Sequence, residues 1–241
     1  LFDSALHHFL DFGRFESRTG SKIQANIYTL VDSNEEIVGG LGDDKFIADP
    51  STLNLDDILN GGAGFDTLEI LLEAFEFNDL KFPDTGNIFN FEFLTLNLEN
   101  MNRSIDVSGT LDFSGLSGLE SIEIEGGHST DLNNVDLNLG EVQSLKFKNM
   151  TDADLETDLL DNIRLNIDQA SISEFLELNF DTVSSNDSAF QNDLIIDLAA
   201  SGLSELKLIV GDEKKVKFEN SGGKLTKLFI DGIASIELGS I

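Results

Sequence analysis

The 241-residue chain contains no cysteine, which excludes disulfides, thiolate zinc sites, iron–sulfur clusters and cysteine nucleophiles together. That absence fits secretion without disulfide chemistry. No apolar run approaches the roughly 20 residues a membrane-spanning helix requires, so no membrane insertion is expected. No charged-then-apolar signal segment precedes Leu1, and we expect a processed product or a fragment of a longer chain. Basic residues are scarce: 15 Lys and Arg stand against 45 Asp and Glu, a formal charge of -30. Such a field repels nucleic-acid phosphates and anionic lipid and attracts cations, which argues against nucleic acid as a partner. The three histidines, His7, His8 and His128, show no HExxH spacing. His7 and His8 are adjacent and point to different faces of a helix, which suits surface or packing roles. No phosphate loop or dinucleotide fingerprint occurs, and SGLSGLES around Ser117 lacks the Gly-x-Ser-x-Gly of a nucleophile elbow. Carboxylates are so abundant that a pair of them identifies no acid–base site. No enzymatic activity is expected.

What is present is a folding chain. Hydrophobic residues make up 40% and 19 residues are Phe, unlike an acidic disordered tail. The spacing of Phe2, Leu6, Phe9 and Leu10 predicts a helix within residues 1–18, with Gly13 as its stop. Beyond residue 22 only short runs of alternating apolar residues recur. SIDVSGTLDF is followed by LESIEIEG, VDLNLGE by VQSLKFKN, IRLNIDQASI by FLELNF, DLIIDLAA by LSELKLIVG, and KVKFENSG by LTKLFIDG. Alternation of this kind predicts half-buried strands. From Ile105 to Val135 is 30 residues, to Ile163 another 28, to Leu194 another 31, and to Val216 another 22. A two-strand unit of variable length predicts an irregular β-solenoid. A β-sandwich also produces many short strands, but it has no reason to repeat the motif (Leu/Phe)-x-x-Leu-x-(Ile/Leu/Phe). Residues 151–162, TDADLETDLLDN, predict a short helix or decorated loop, with Thr151 as N-cap.

Two glycine-rich turns carry the chemistry. GGLGDDKFI (residues 39–47) and GGAGFDTLE (61–69) share Gly-Gly-x-Gly-x-Asp followed by an inward apolar residue, 22 positions apart. Glycine permits positive φ and close approach of backbones, so such a turn can aim carbonyl oxygens at one point. The Asp adds a charged oxygen. Calcium, a hard cation, accepts about six to eight carbonyl and carboxylate oxygens together. Half-motifs flank each turn: Glu35 lies nine residues before Asp44, and Asp57 nine before Asp66. Nonapeptides stacked as half-coils predict a repeat of 18, whereas Asp44 to Asp66 and Glu35 to Asp57 are each 22. One four-residue bulge in the ADPSTLNL segment accounts for both. A simpler reading makes the turns ordinary hairpin connections capped by their Asp residues.

The two nonapeptides resemble RTX, or haemolysin-type, calcium-binding repeats. The resemblance implies Ca2+ as the cofactor, held between stacked turns of a short parallel β-roll. Carbonyls of Gly39, Leu41, Gly42, Gly61, Ala63 and Gly64 and the carboxylates of Asp44 and Asp66 are the implied ligands, with Asp57 and Glu35 as a weaker second side. Phe46, Leu68, Ile37 and Leu59 are the expected inward residues. The run from Asn34 to Ile70 also resembles segments of bacterial surface-layer (S-layer) proteins that combine RTX repeats with a β-rich body. HFLDFGRFESR is similar to a module found in tandem upstream of such repeats: His8, Phe9, Leu10, Phe12, Gly13, Glu16 and Arg18 match, and Ser17 stands where the module has Gly.

The expected organisation is a helical N-terminal remnant of an upstream module over 1–30, a calcium roll over 31–72 and an irregular β-solenoid over 73–241. The expected function is structural: a secreted, extracellular protein of the bacterial cell surface that self-assembles into a surface layer or filament. The alternative is an RTX spacer or passenger module of a larger secreted adhesin or enzyme; a solenoid polysaccharide lyase is the least favoured. Other copies of the chain, joined head to tail, are the expected partners. A cell-surface polysaccharide, reached through the upstream module, is a further one. Lys207, Lys214, Lys215, Lys217, Lys224 and Lys227 cluster near the C-terminal end. They read as a solvated strand face, or as a positive end that meets the acidic N-terminal half of another copy.

Overall fold

A computed structural model describes residues 24–72, 82, 87–98, 109–126, 135–148, 163–168, 175–180, 193–197, 203–220 and 225–238. The expected helices within 1–18 and over 151–162, the upstream-module match and all three histidines lie outside them. Among the described residues the chain is all-β, with no helix. The first strands are β1 (Ile27–Thr29), β2 (Glu36–Val38), β3 (Lys45–Ala48), β4 (Ile58–Asn60), β5 (Thr67–Leu71), β6 (Ile88–Phe89), β7 (Phe93–Asn97) and β8 (Gly109–Asp112). Then follow β9 (Ser121–Glu125), β10 (Val135–Asn138), β11 (Ser144–Lys148), β12 (Ile163–Asp168), β13 (Phe175–Phe180), β14 (Asp193–Asp197), β15 (Glu205–Asn220) and β16 (Lys227–Leu238).

Every pairing between these strands is parallel. Parallel neighbours cannot be joined by a tight hairpin, so the chain must travel round before it meets itself. It does so as a solenoid-like stack of coils. Strands β1, β3, β5, β7, β9, β11 and β13 form one row in sequence order, ending on the first half of β15. Strands β8, β10, β12 and β14 form a second row that ends on the second half of β15. Strands β2, β4 and β6 make a separate three-stranded sheet. β16 runs along both halves of β15. Coil length varies: Ile27 faces Lys45, 18 residues on, and Ser144 faces Glu177, 33 residues on.

One expectation is corrected here. LSELKLIVG and KVKFEN read as separate strands, but they form the single 16-residue β15. Its partner register shifts between Val210 and Lys214, so the tract that reads as a turn is a bend within a continuous strand. The first strand β1 also precedes residue 31, inside the segment read as a helical remnant, and it pairs with β3.

Inward residues stack coil on coil. Phe46, Leu68, Leu94, Ile122, Leu145, Leu178 and Leu208 follow one another in register and all are buried. Full burial of each such side chain contributes about 1.5–3 kcal/mol. The Phe147 and Phe180 rings stack at 4.6 Å and 6°, and Phe46 meets Tyr28 at 4.7 Å and Phe91 edge-on at 4.9 Å.

Outward residues follow a charge rule. Among the register partners of the described strands, no two like charges face each other. Six pairings set acid against base: Glu123–Lys146, Glu125–Lys148, Glu177–Lys207, Asp193–Lys215, Glu205–Lys227 and Lys217–Glu237. Lys207 reaches Glu177 at 2.7 Å, and Lys227 also bonds Glu205. Two lysines of the C-terminal cluster are thus held within their own stack. Exposed pairs of this kind contribute about 0–1 kcal/mol; directly opposed like charges would be destabilising.

Candidate metal centre

The turns 39–44 and 61–66 connect β2 to β3 and β4 to β5, so coil stacking lays one upon the other. A Cβ on Gly39 would stand 1.7 Å from the Gly61 carbonyl oxygen, and one on Gly61 would stand 1.9 Å from the Asn90 oxygen. No side chain fits either gap. Gly62 adds a second constraint, with φ at 104° and its Cβ position 2.5 Å from Gly40 O, a conformation glycine alone adopts readily. The backbones lock: Gly39 N donates to Asn60 O at 2.7 Å, and Ala63 N to Gly40 O at 3.0 Å.

These turns deliver one carboxylate per coil to a single column. Each member lies one residue before a strand of the first row: Asn26, Asp44, Asp66, Glu92, Glu120 and Gln143. The register is fixed by backbone bonds, Lys45 N to Asn26 O at 2.9 Å, Thr67 N to Asp44 O at 2.9 Å, Phe93 N to Asp66 O at 3.2 Å, Ser121 N to Glu92 O at 3.0 Å and Ser144 N to Glu120 O at 3.2 Å. Four acids therefore stand in consecutive coils between two amides. This column breaks the charge rule that the strands obey.

The carboxylates are bonded along the column. Asp44 Oδ1 accepts from Asn26 N at 2.6 Å and Asn26 Nδ2 at 2.9 Å, and its Oδ2 accepts from Gly40 N. Asp66 Oδ1 accepts from Asp44 N at 2.7 Å, and Glu92 Oε2 from Asp66 N at 2.8 Å. The second turn differs from the first at one bond. Gly62 N donates to Asn60 Oδ1 at 3.0 Å, and that oxygen also accepts from Asn90 Nδ2 at 2.8 Å. Asp66 Oδ2, on a side chain with 0% exposure, is left buried without a partner.

The titration of the two carboxyls separates accordingly. Burial pushes Asp44 up, but the N–H groups of Gly40 and Asn26 outweigh it and hold the carboxyl below its ordinary range. Burial pushes Asp66 up as well. The N–H of Asp44 opposes that rise, the charges of Glu92, Asp44 and Asp43 reinforce it, and the net direction is upward.

The second expected side is built differently. Asp57, also fully buried, has both oxygens occupied, by Glu35 N at 2.8 Å and Asn54 N at 2.7 Å. One Glu35 oxygen turns back to Val31 N at 2.9 Å. Asp57 thus caps the loop after β3. Leu41, a candidate through its carbonyl, is an exposed turn residue at 74%, and Ala63 occupies the same position in the second turn. Phe46, Leu68 and Leu59 are buried, as inward residues should be, and Ile37 packs against the core.

Glu92, Glu120 and Asn90 were not singled out from the sequence. Their signal lay in the repeat itself, since FEFLTL and LESIEI, residues 91–96 and 119–124, carry an acid at its second position. Glycine was the wrong guide, because Asn90 supplies the tight turn at φ 59° instead.

Chemically, the column offers oxygen donors alone. Among the described residues no group of three or more His, Cys, Asp or Glu side chains converges on one point. A cation held here would therefore complete its shell from main-chain carbonyls, which is how hard cations are bound. The buried, unpartnered Asp66 oxygen fits such an ion. Comparison with family models, with curated proteins and with solved structures returned no match.

Proposed function

We propose that the chain is a calcium-dependent structural protein, secreted by a bacterium, whose stacked coils assemble into a surface layer or extracellular filament. The observation that carries the calcium part is the acid column. The strands of a chain with charge -30 keep like charges out of register, yet Asp44, Asp66 and Glu92 stack in successive coils and Asp66 Oδ2 has no partner. A bound calcium ion would supply the positive charge that such a column lacks. Asp44, Asp66 and carbonyls of turns 39–44 and 61–66 would hold it, in line with the RTX resemblance. The assembly part rests on that resemblance and on the architecture, because parallel coils in register are extended by further coils of the same kind.

A second reading, a calcium-binding spacer module of a larger secreted protein, is favoured by the lysines. Lys207 and Lys227 pair with Glu177 and Glu205 of their own stack, which leaves fewer cations to draw in the acidic half of another copy. Calorimetric calcium titration, followed by light scattering and negative-stain microscopy with and without millimolar calcium, tests both. Heat of binding with reversible sheets or filaments supports the first reading. Binding with a persistent monomer supports the second, and no binding refutes both.

A further inference from the structure

The repeated motif directs attention to the interval between turns 39–44 and 61–66, but the unsatisfied chemistry lies one coil further along. In the first turn both Asp44 oxygens are occupied by N–H groups of Asn26 and Gly40. In the second, the N–H that would satisfy Asp66 Oδ2 is drawn away to Asn60 Oδ1, and the Asn90 amide helps to hold Asn60 in place. Asn90 is the one non-glycine residue with positive φ among the described residues, at 59°. Residues held in that region are over-represented at functional positions. Its conformation brings its carbonyl against Gly61: the point a Cβ on Gly61 would occupy is 1.9 Å from Asn90 O and 2.9 Å from Asp66 Oδ2. Two oxygens from two coils thus pack against the same side of Gly61. Glu92 adds a second carboxylate, bonded through Oε2 to Asp66 N at 2.8 Å. Among the described residues no lysine or arginine forms an ion pair with Asp66 or Glu92.

We propose that a divalent cation is bound between turn 61–66 and residues 90–92, with Asp66 Oδ2, the Glu92 carboxylate and the Asn90 carbonyl among its ligands. Neither Asn90 nor Glu92 belongs to the repeated motif. The inference rests on the calcium reading above and sharpens it, moving the strongest site to the second interval of the stack. Calcium suits it better than magnesium, because mixed carbonyl and carboxylate donors in an irregular turn do not impose an octahedron.

The test uses the full chain, calcium chloride and the variant Glu92→Gln. Gln retains an acceptor for Asp66 N–H, so the backbone bond survives while the charge is lost. We expect calcium affinity by calorimetry to fall at least about tenfold, the scale of losing one charged ligand contact of about 1.4 kcal/mol or more. With chelator present, where Glu92 only repels Asp66, the variant should melt no lower than the parent chain. Amide resonances provide a second measurement that needs no variant: Asp66, Asn90 and Glu92 should shift most on calcium addition, more than Asn26 and Gly40. Wild-type affinity in Glu92→Gln, or shifts concentrated on Asn26 and Gly40 while 90–92 stay still, overturns the second-interval site and leaves the calcium reading intact. A parent chain that takes up no calcium overturns both.

Discussion

Asp66→Asn separates what the column does with calcium from what it does without it. Asp66 is fully buried, with Oδ1 accepting the Asp44 N–H at 2.7 Å and Oδ2 facing no donor. Asparagine keeps the first bond through its own Oδ1. It places a neutral amide donor where the orphan oxygen stood, on the side of Gly61 that also carries the Asn90 carbonyl. A buried polar atom without a partner costs about 1–3 kcal/mol, and the charges of Glu92, Asp44 and Asp43 add to that penalty. In chelator, therefore, the variant should be more stable by about 1–3 kcal/mol. For a chain of this size each kcal/mol is worth about 2–4 °C in melting temperature. With calcium the order should reverse. The parent chain gains RT ln(1 + [L]/Kd), about 2.7 kcal/mol at a hundredfold excess over Kd, and the variant gains little. Circular dichroism melts of both chains, in chelator and in saturating calcium, read the crossing directly. A variant that melts lower than the parent in chelator, or that rises equally with calcium, refutes the assignment of Asp66 Oδ2 as a ligand.

Gly61→Ala and Gly118→Ala form a contrasting pair. A Cβ at Gly61 meets Asn90 O at 1.9 Å, whereas one at Gly118 meets nothing within 4 Å despite its φ of 87°. Denaturant midpoints should show about 1–2 kcal/mol lost at Gly118 and more than about 3 kcal/mol at Gly61, where backbone obstructs backbone. The pH dependence of the calcium-free chain follows from two opposite shifts. Asp66, raised by burial and by its acidic neighbours, contributes stability below its unfolded value that is lost as pH rises through the raised folded value. Asp44, held low by Gly40 and Asn26 despite its burial, contributes stability above its unfolded value that is lost as pH falls through the lowered one. Melts in chelator should accordingly peak near the ordinary carboxylate value that both groups share when unfolded, and Asp66→Asn should remove the decline at higher pH. Lys148 pairs with Glu125 at 2.9 Å and with Glu123 at 3.3 Å. Lys148→Gln should cost under about 1 kcal/mol, while Lys148→Glu should cost more, by an excess that shrinks as salt is raised.

Much of this architecture was legible because a parallel stack writes its coil length into the spacing of equivalent residues. Asp44 and Asp66 are 22 apart where a pair of nonapeptides gives 18, and the four extra residues can be located. The first coil passes from Thr29 to Glu36 in 7 residues, and the second from Ile47 to Ile58 in 11. The excess folds into a compact turn in which Asp49 Oδ1 accepts from Ser51 N at 2.7 Å and Asp49 O from Leu53 N at 2.9 Å. What could not be read is where tertiary pairing overrides local pattern. GDEKK, residues 211–215, carries turn chemistry, yet its flanks pair with β13, β14 and β16 and pull it into one strand. Glu92 was hidden for a related reason. Its place in the acid column comes from the coil it stacks on and not from its own neighbours in sequence, and no glycine marks its turn.

The column also bears on which charge effect a bound cation would answer. Coils about 4.8 Å apart with a net charge of -30 would repel throughout if acids stacked on acids, and calcium would then act as a general counterion. The strands avoid that arrangement. Asp112, Asn138 and Asp168 succeed one another in register, as do Asp136, Asn166, Asp197 and Asn220. Acids in these columns are two coils apart, about 9.5 Å, close to the screening length of about 10 Å at 0.1 M salt. Ordinary salt suffices there. In the column Asp44, Asp66, Glu92, Glu120 no neutral residue intervenes, and exposure falls from Glu120, in water, through half-buried Glu92 to Asp66, which water does not reach. Screening fails where solvent is absent, so the unmet demand for positive charge concentrates at Asp66. A cation bound at this one buried position would meet that demand, and we expect monovalent salt at matched ionic strength not to replace it.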